Sequence, residues 1–452
     1  MKIERTLSIM LFLCALDISV KAQSPTQNYV LSKDVLDVDG THAITTVTYY
    51  DGLNRLEEST YAEGEDMSQN KNRYSENVLS YSANGSIERL QRYGKKNNGT
   101  FGLIDDLTYS YNGNQIKAIS DKAGSLLYNG SFDFKDGANA DVEYFYDANG
   151  ALVKDLNKGI SNIEYDVLGN MKCITFSNGF KTKYIYDAAG NKLRITHESV
   201  VTNTTDYIGN FVLEDGKLSK YLFDGGYCSF DNNQNPSFHY YEKDHLGSVR
   251  MVVNENGTIE QVNHYYPFGG VYGDLSYKGE LQRNKYIGKE FDHMYGLDWY
   301  DHGARMYDAA RVVWDRIDNL GEKNSDISPY LYCHDNAINK FDPDGNDDYF
   351  SNSGQFLFSK GDSPNIYVAN GNNGFVNFNT LDLRRKNDLN TGVRIVGYYA
   401  RKAGVKYNVN GGRGYVGIST LHRTDNQKDV LAQTKGESIY LKMSNGKLNK
   451  EM

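Results

Sequence analysis

Apolar and polar residues alternate with period two over short stretches, and the alternation is broken by small polar clusters. Tyr184-Ile185-Tyr186 alternates, stops at Asp187-Ala188-Ala189-Gly190, and resumes over Lys192-Leu193-Arg194-Ile195. This pattern predicts two strands joined by a tight turn, with the glycine supplying the left-handed turn residue. Related segments are VTYYDGLNRL at 47–56, LSYSANGSIERL at 79–90, LTYSYNGNQIKAI at 107–119, YFYDANGALV at 144–153 and IEYDVLGNMKCI at 163–174. Gly52, Gly85, Gly113, Gly150, Gly169 and Gly190 mark the copies, with spacings from 19 to 37 residues. The short spacings fit one hairpin, and the long ones leave room for two hairpins or an insertion. A lone hairpin is not stable in water. Consecutive hairpins are therefore expected to stack edge to edge into one sheet that twists and coils, with tyrosines laddered on one face. The alternative is an ordinary β-sandwich built from Tyr-rich strands.

Composition supports strands. The chain has 37 Tyr and 44 Gly but only 6 Pro and 2 Trp, which suits pleated, half-buried surfaces and tight turns. A hydrophobic share of 39% and a mean hydropathy of −0.62 favour a thin-walled sheet over a thick core. At 452 residues the chain has room for two to four units. Charge is uneven. Residues 346–452 hold 15 Lys/Arg against 9 Asp/Glu, a net +6 that leaves −15 on the remainder of a chain of net −9. The asymmetry implies two modules. No aromatic-basic motif organises the basic tail, so nucleic acid is not expected as a partner.

Met1 to Ala22 reads as a signal peptide: Lys2 and Arg5, the apolar run from Leu7 to Leu16, then Val20-Lys21-Ala22 before a cut. No later run reaches 18 apolar residues, so no transmembrane helix is expected. The chain is expected to be exported, to be secreted or held at the cell surface or periplasm. Cys173, Cys228 and Cys333 remain after the signal, an odd number that excludes a full disulfide framework. They read as small buried residues. No two histidines have a zinc spacing. The acidic cluster at Asp342, Asp344, Asn346, Asp347 and Asp348 has its glycine at the wrong offset for a calcium loop, so neither metal nor cofactor is expected. Gly411 to Gly417 lacks the Lys-Ser/Thr pair of a phosphate loop and reads as a flexible turn. His422 with Asp425 lacks the further residues of a nuclease site.

After residue 240 the chain carries YYEKDHLGSVRMVVNENGTI (240–259), HYYPFGG (264–270), YIGKEFD (286–292), GLDWYDHGARMYD (296–308) and WDRIDNLGEKNSDISPYLYCHDNAINKFDPDG (314–345). With the upstream repeats, these motifs resemble a Rhs-repeat (YD-repeat) protein with its Rhs repeat-associated core, of the Bacteroidetes-type polymorphic toxin family. The resemblance covers most of residues 45–345. It implies a mainly β fold: a spiralling sheet of stacked β-hairpins, a partial Rhs/YD shell that holds a C-terminal polypeptide, followed by a small α+β C-terminal tail. The expected organisation is a signal peptide at 1–22, repeat hairpins at 23–215, the core at 216–345 and a truncated variable tip at 346–452. Some cores of this kind cut themselves after the terminal DPxG with a carboxylate pair, and two Asp sharing a proton can act as acid and base. Here the candidates are Asp318 and Asp342, with Asp315 as a substitute. Asp318 is followed by Asn319 where that family has Pro, and Asn346 stands where a bulky apolar residue is usual.

In the tail, 348–368 reads as two strands joined at Ser353-Gly354, 389–403 as a short helix, and 439–448 as a hairpin around Asn445-Gly446. The tail resembles the opening half of toxin cassettes that continue into a His-Glu-x-x-His helix, a pattern found nowhere in this chain. The first functional expectation is therefore a secreted scaffold that encloses or displays its own tail as cargo, with an immunity protein as a further partner. In the second, the tail is itself a peptidase-like or nuclease toxin. In the third, the tyrosines form a module that binds surface carbohydrate.

Overall fold

The computed structural model describes residues 28–34, 44–64, 67–126, 132–223, 225–272, 282–318 and 327–342, with short segments between 349 and 448. The expected signal peptide, the 389–403 helix apart from Ile395, the 411–417 turn and His422 with Asp425 lie outside the described residues. The chain divides into two compact units, Met1–Ile338 and Asn339–Met452.

The first unit is built from two antiparallel meanders. One holds β1 (Asn28–Asp34), β2 (Ile44–Tyr50), β3 (Leu56–Glu63), β4 (Glu76–Tyr81), β5 (Ile87–Lys95), β6 (Phe101–Asn112) and β7 (Gln115–Asp121). The other begins with β8 (Tyr144–Tyr146), β9 (Leu152–Asp155), β10 (Ile160–Tyr165), β11 (Met171–Phe176), β12 (Lys181–Tyr186) and β13 (Lys192–Glu198). It continues through β14 (Thr202–Ile208), β15 (Phe211–Glu214), β16 (Lys217–Phe223), β17 (Gly226–Phe230), β18 (Pro236–Lys243), β19 (Val249–Asn254) and β20 (Ile259–Val262). In both sheets every strand pairs with its chain neighbours. Within each sheet the hairpins therefore join side by side, as the sequence pattern predicts, and form no sandwich of crossed connections; the expected single sheet is instead divided in two between β7 and β8.

The turns explain the repeat. Asp187 Oδ1 accepts the Ala189 and Asn191 N–H groups at 2.8 and 2.9 Å, and Asn191 Nδ2 donates to Oδ2 at 2.9 Å. These bonds hold the Asp187 carboxyl below its ordinary range. Asp147, Asp166 and Asp231 accept from the second and fourth following N–H groups in the same way. The side chain thus satisfies donors that the reversing backbone leaves free. Gly190 closes the loop at φ +80°.

One expectation is corrected at the first copy. Gly52 is not in the left-handed region; Asn54 is, at φ +62°. Asp51 accepts from Leu53 and Arg55, so Asn54 is the counterpart of Gly190. Asn is one of the few side chains that tolerates this conformation. Gly52 is therefore only an interior loop residue.

The tyrosine ladder also differs from the expected one. Ring stacking in the Tyr-x-Tyr pairs stays within one strand, at 6.3 Å for Tyr109–Tyr111 and 6.4 Å for Tyr184–Tyr186. Between hairpins the contact is a hydrogen bond. Tyr81 donates to Leu56 O at 2.5 Å, Tyr111 to Ile87 O at 2.6 Å and Tyr165 to Leu152 O at 2.8 Å. Each hydroxyl reaches the first residue of a strand in the preceding hairpin.

In the second unit Tyr349–Phe350 pairs antiparallel with Phe356–Phe358 and parallel with Tyr367–Ala369. Met443–Ser444 pairs with Lys447–Leu448. The expected strand pair within 348–368 is present with an unexpected parallel third strand, while around Asn445-Gly446 only Met443–Ser444 and Lys447–Leu448 pair and Ser438–Leu441 pairs instead with Ala432–Lys435. No helix among the described residues is long and apolar enough to cross a membrane.

Candidate functional site

The described residues between 263 and 336 form a folded closing segment against the walls. It contains β21 (His264–Tyr265), β22 (Val271–Tyr272), β23 (Glu290–Asp292), β24 (Trp299–Asp301), β25 (Met306–Asp308) and β26 (Val313–Trp314). Its own core is aromatic: Trp299, Tyr300, Tyr307, Trp314 and Tyr332 are each at most 1% exposed.

Three buried cations fasten this segment to the walls. Arg92, on β5, donates from Nε to Glu76 at 2.7 Å and from Nη1 to Asp105 at 3.0 Å. It also reaches the carbonyls of Ala310 at 3.2 Å and Ala309 at 3.0 Å. Glu76 Oε2 in turn accepts Phe268 N–H at 3.0 Å. Lys192, on β13, lies 2.7 Å from Glu290 and 2.5 Å from Asp301, and these anions raise its pKa against the opposing effect of burial. Arg311, inside the closing segment, pairs with Asp308 at 2.7 Å and approaches Asp155 of β9 at 3.9 Å. Its guanidinium lies over the Tyr144 ring at 4.9 Å.

Tyrosine hydroxyls repeat the pattern. Tyr207 donates to Glu290 at 2.5 Å, Tyr266 to Tyr93 O at 2.6 Å and Tyr330 to Gly150 O at 2.7 Å. Buried charges cost solvation unless they are paired. Each anchor therefore fixes where the closing segment can sit more than it adds net stability. No sequence motif marks these cations. The signal was present: Arg92 lies two residues from Leu90, on the inward parity of its strand, where an unpaired charge is not tolerated.

The three candidate aspartates have different surroundings. Asp315 is buried; its Oδ1 accepts Met306 N–H at 2.9 Å and its Oδ2 lies 3.3 Å from the Tyr165 hydroxyl. Burial raises its carboxyl above the ordinary range. Its backbone accepts Leu152 N–H at 2.9 Å, which joins the closing segment to β9. Asp318 is half-exposed and pairs with Arg305 at 3.3 Å. Asp342 is buried and belongs to the second unit. Asn319 and residues 343–348, including the bond after Gly345, lie outside the described residues.

The Teneurin YD-shell family profile matches residues 27–320. The chain belongs to that family. A second profile, Metallopeptidase toxin 2, matches residues 348–452. The YD-shell chain is 28% identical over 262 residues to the tRNA3(Ser)-specific nuclease WapA of Bacillus spizizenii, which covers 54% of this chain and 11% of that protein. It is 27% identical over 231 residues to Salivary gland surface protein 1 of Aedes aegypti, covering 44% and 6%. The chain thus spans about a tenth or less of the length of these relatives. Among solved structures, TcdB2-TccC3 aligns with a TM-score of 0.46 and 17% identity over 74% of this chain and 20% of that one.

The second profile implies a catalytic metal. Residues 348–452 contain a single histidine, His422, and no cysteine. A two-His metal set cannot be assembled from that stretch, so no step through a metal is derived for it.

Proposed function

We propose that the chain is an exported YD-shell scaffold that holds or displays its own C-terminal polypeptide for delivery in competition between cells. Its signal peptide is residues 1–22, its repeat hairpins 23–215, its core 216–345, with the first strands of the core extending the second wall, and its tip 346–452. The observation that carries this reading is the closing segment clamped by buried ion pairs onto hairpins far away in the sequence. A folded enzyme would not need that much chain to position one site, whereas a container needs its wall fixed to its lid. The decisive experiment is limited proteolysis of the secreted chain followed by gel filtration. The wall and closing segment are expected to survive together, with the tip retained on them after nicking. A tip that separates freely under native conditions would remove the cargo reading.

The match of 348–452 to a toxin profile favours a second reading, in which the tip is itself the toxic part. Induction of the full chain and of a chain ending at residue 345 distinguishes the two: toxicity confined to the full chain supports a toxic tip. Self-cleavage by Asp318 and Asp342 is a further part of the proposal. Asp315 has a weaker claim, because both its carboxyl oxygens are engaged, one by Met306 N–H of β25 and the other by the Tyr165 hydroxyl of β10. A band corresponding to 23–345 that persists in an Asp342→Asn chain would overturn the role given to Asp342.

A further inference from the structure

The second wall carries a constellation that the shell reading does not use. Ser229 on β17, His239 on β18 and Glu260 on β20 form a hydrogen-bonded line. Ser229 Oγ is 2.8 Å from His239 Nε2, and His239 Nδ1 is 2.5 Å from Glu260 Oε2. Ser229 is half-buried, while the side chains of His239 and Glu260 are 11% and 26% exposed. The imidazole is held flat against the Tyr227 ring, with centroids 4.3 Å apart and planes 8° apart. With Nδ1–H donated to Glu260, Nε2 is left to accept the serine proton. This is the nucleophile, base and orienting-acid arrangement of acyl-transfer sites.

Its location adds to the case. Tyr207, Val212, Lys220 and Ser229 are successive cross-strand partners, so they share one face of the wall. Tyr207 on that face hydrogen-bonds Glu290 of the closing segment. The serine therefore lies on the inner side, a few strands from the lid. Lys220 is directly opposite Ser229, where cross-strand Cβ atoms are about 5 Å apart. Its ammonium lies over the Tyr227 ring, 5.6 Å from the centroid, and a side-chain rotation would bring it toward an oxyanion forming at the serine.

We propose that Ser229, His239 and Glu260 form an esterase-type acyl-transfer site on the inner wall, with Ser229 as nucleophile and His239 as base. The substrate class is a small carboxylic ester. Ser229 Oγ bonds to the acyl carbon while its proton passes to His239 Nε2. The ester C–O bond then breaks, and that proton leaves with the alcohol. Water, deprotonated by the same nitrogen, hydrolyses the acyl-serine to free acid and restores the serine. Glu260 is a positioning residue. An ester is preferred to an amide because the cation near the site is one mobile lysine rather than a pair of fixed N–H donors.

The test treats the full chain with a fluorophosphonate probe and with p-nitrophenyl acetate, and maps the modified residue by mass spectrometry. Label and acetyl group are expected on Ser229. Ser229→Ala should abolish both, and His239→Gln should slow labelling by roughly a hundredfold, with the β-rich circular dichroism of both variants unchanged. Glu260→Asp should retain part of the rate that Glu260→Ala loses, a graded response that a merely structural carboxylate would not give. Ser229→Cys should accept iodoacetamide in a His239-dependent manner. Failure of the probe to modify Ser229, or labelling indifferent to His239, would overturn the proposal.

Discussion

At the scale of single residues, the turn glycines are of two kinds. Gly150 has φ +78°, and a Cβ there would lie 2.8 Å from the Tyr330 hydroxyl and 2.9 Å from Ile317 Cγ2. Gly179 has a similar φ of +86° but open space around it. Gly179→Ala is expected to cost about 1 kcal/mol from backbone strain alone. Gly150→Ala should cost about 2–3 kcal/mol, because the closing segment must also shift. Urea unfolding of both variants separates the two contributions, and equal losses would mean the lid does not press on that turn. The tyrosine hydroxyls make a similar prediction. Tyr111→Phe leaves the buried Ile87 carbonyl without its 2.6 Å donor and should cost about 1 kcal/mol, read as a lower denaturant midpoint at unchanged slope.

At the scale of elements, the wall depends on pairings that sequence makes visible and the lid on pairings that it hides. The six hairpins were legible because a Gly recurs around each turn, an Asp opens four of them, and the flanking strands alternate, as in Lys192 to Ile195. Asn54 escaped notice because it does a glycine's work under another name. The partners of Arg92 were not legible at all: Ala309 and Ala310 are 217 and 218 positions away, and they contribute only backbone carbonyls. Among the candidate cleavage residues, sequence could identify Asp315, Asp318 and Asp342 but not that Asp315 is occupied by Met306 and Tyr165. Arg92→Ala strands Glu76 and Asp105 in a dry environment and is expected to cost about 3–5 kcal/mol. Exchange of Arg92, Glu76 and Asp105 together for apolar residues of matching volume should cost less than that single change. Thermal unfolding of the two chains tests this, and a triple variant weaker than Arg92→Ala would show that the charges add stability outright.

At the scale of the whole molecule, acidity acts in two directions. Burial pushes the Asp298 carboxyl up to about 6, and its Oδ1 makes no hydrogen bond. The folded form therefore binds this proton where the unfolded chain does not, and Asp298 destabilises the fold increasingly as pH rises from about 4 to 6. Asp292 and Glu290 are held below their usual range, Asp292 chiefly by His197 and Glu290 chiefly by Lys192, each against the opposing effect of burial. Their contribution is present above the unfolded carboxylate range and is lost as pH falls through their folded values. Stability should thus peak in mildly acid solution. Asp298→Asn should raise stability at neutral pH by about 2 kcal/mol while changing little near pH 4, as measured by denaturant melts across that range.

The order of the strands has a consequence for how the protein is made. Every strand in either wall finds its partners next to it along the chain, so each can dock as it leaves the ribosome. The residues that grip Arg92 emerge more than two hundred positions later. Until then its guanidinium lacks two of its four acceptors and the inner faces stay wet. Birth of this protein is accordingly a two-tempo event: a sheet that lengthens steadily during translation, then one late locking step that dries the interior. A slow refolding phase that Arg92→Ala alters is the expected signature of that lock.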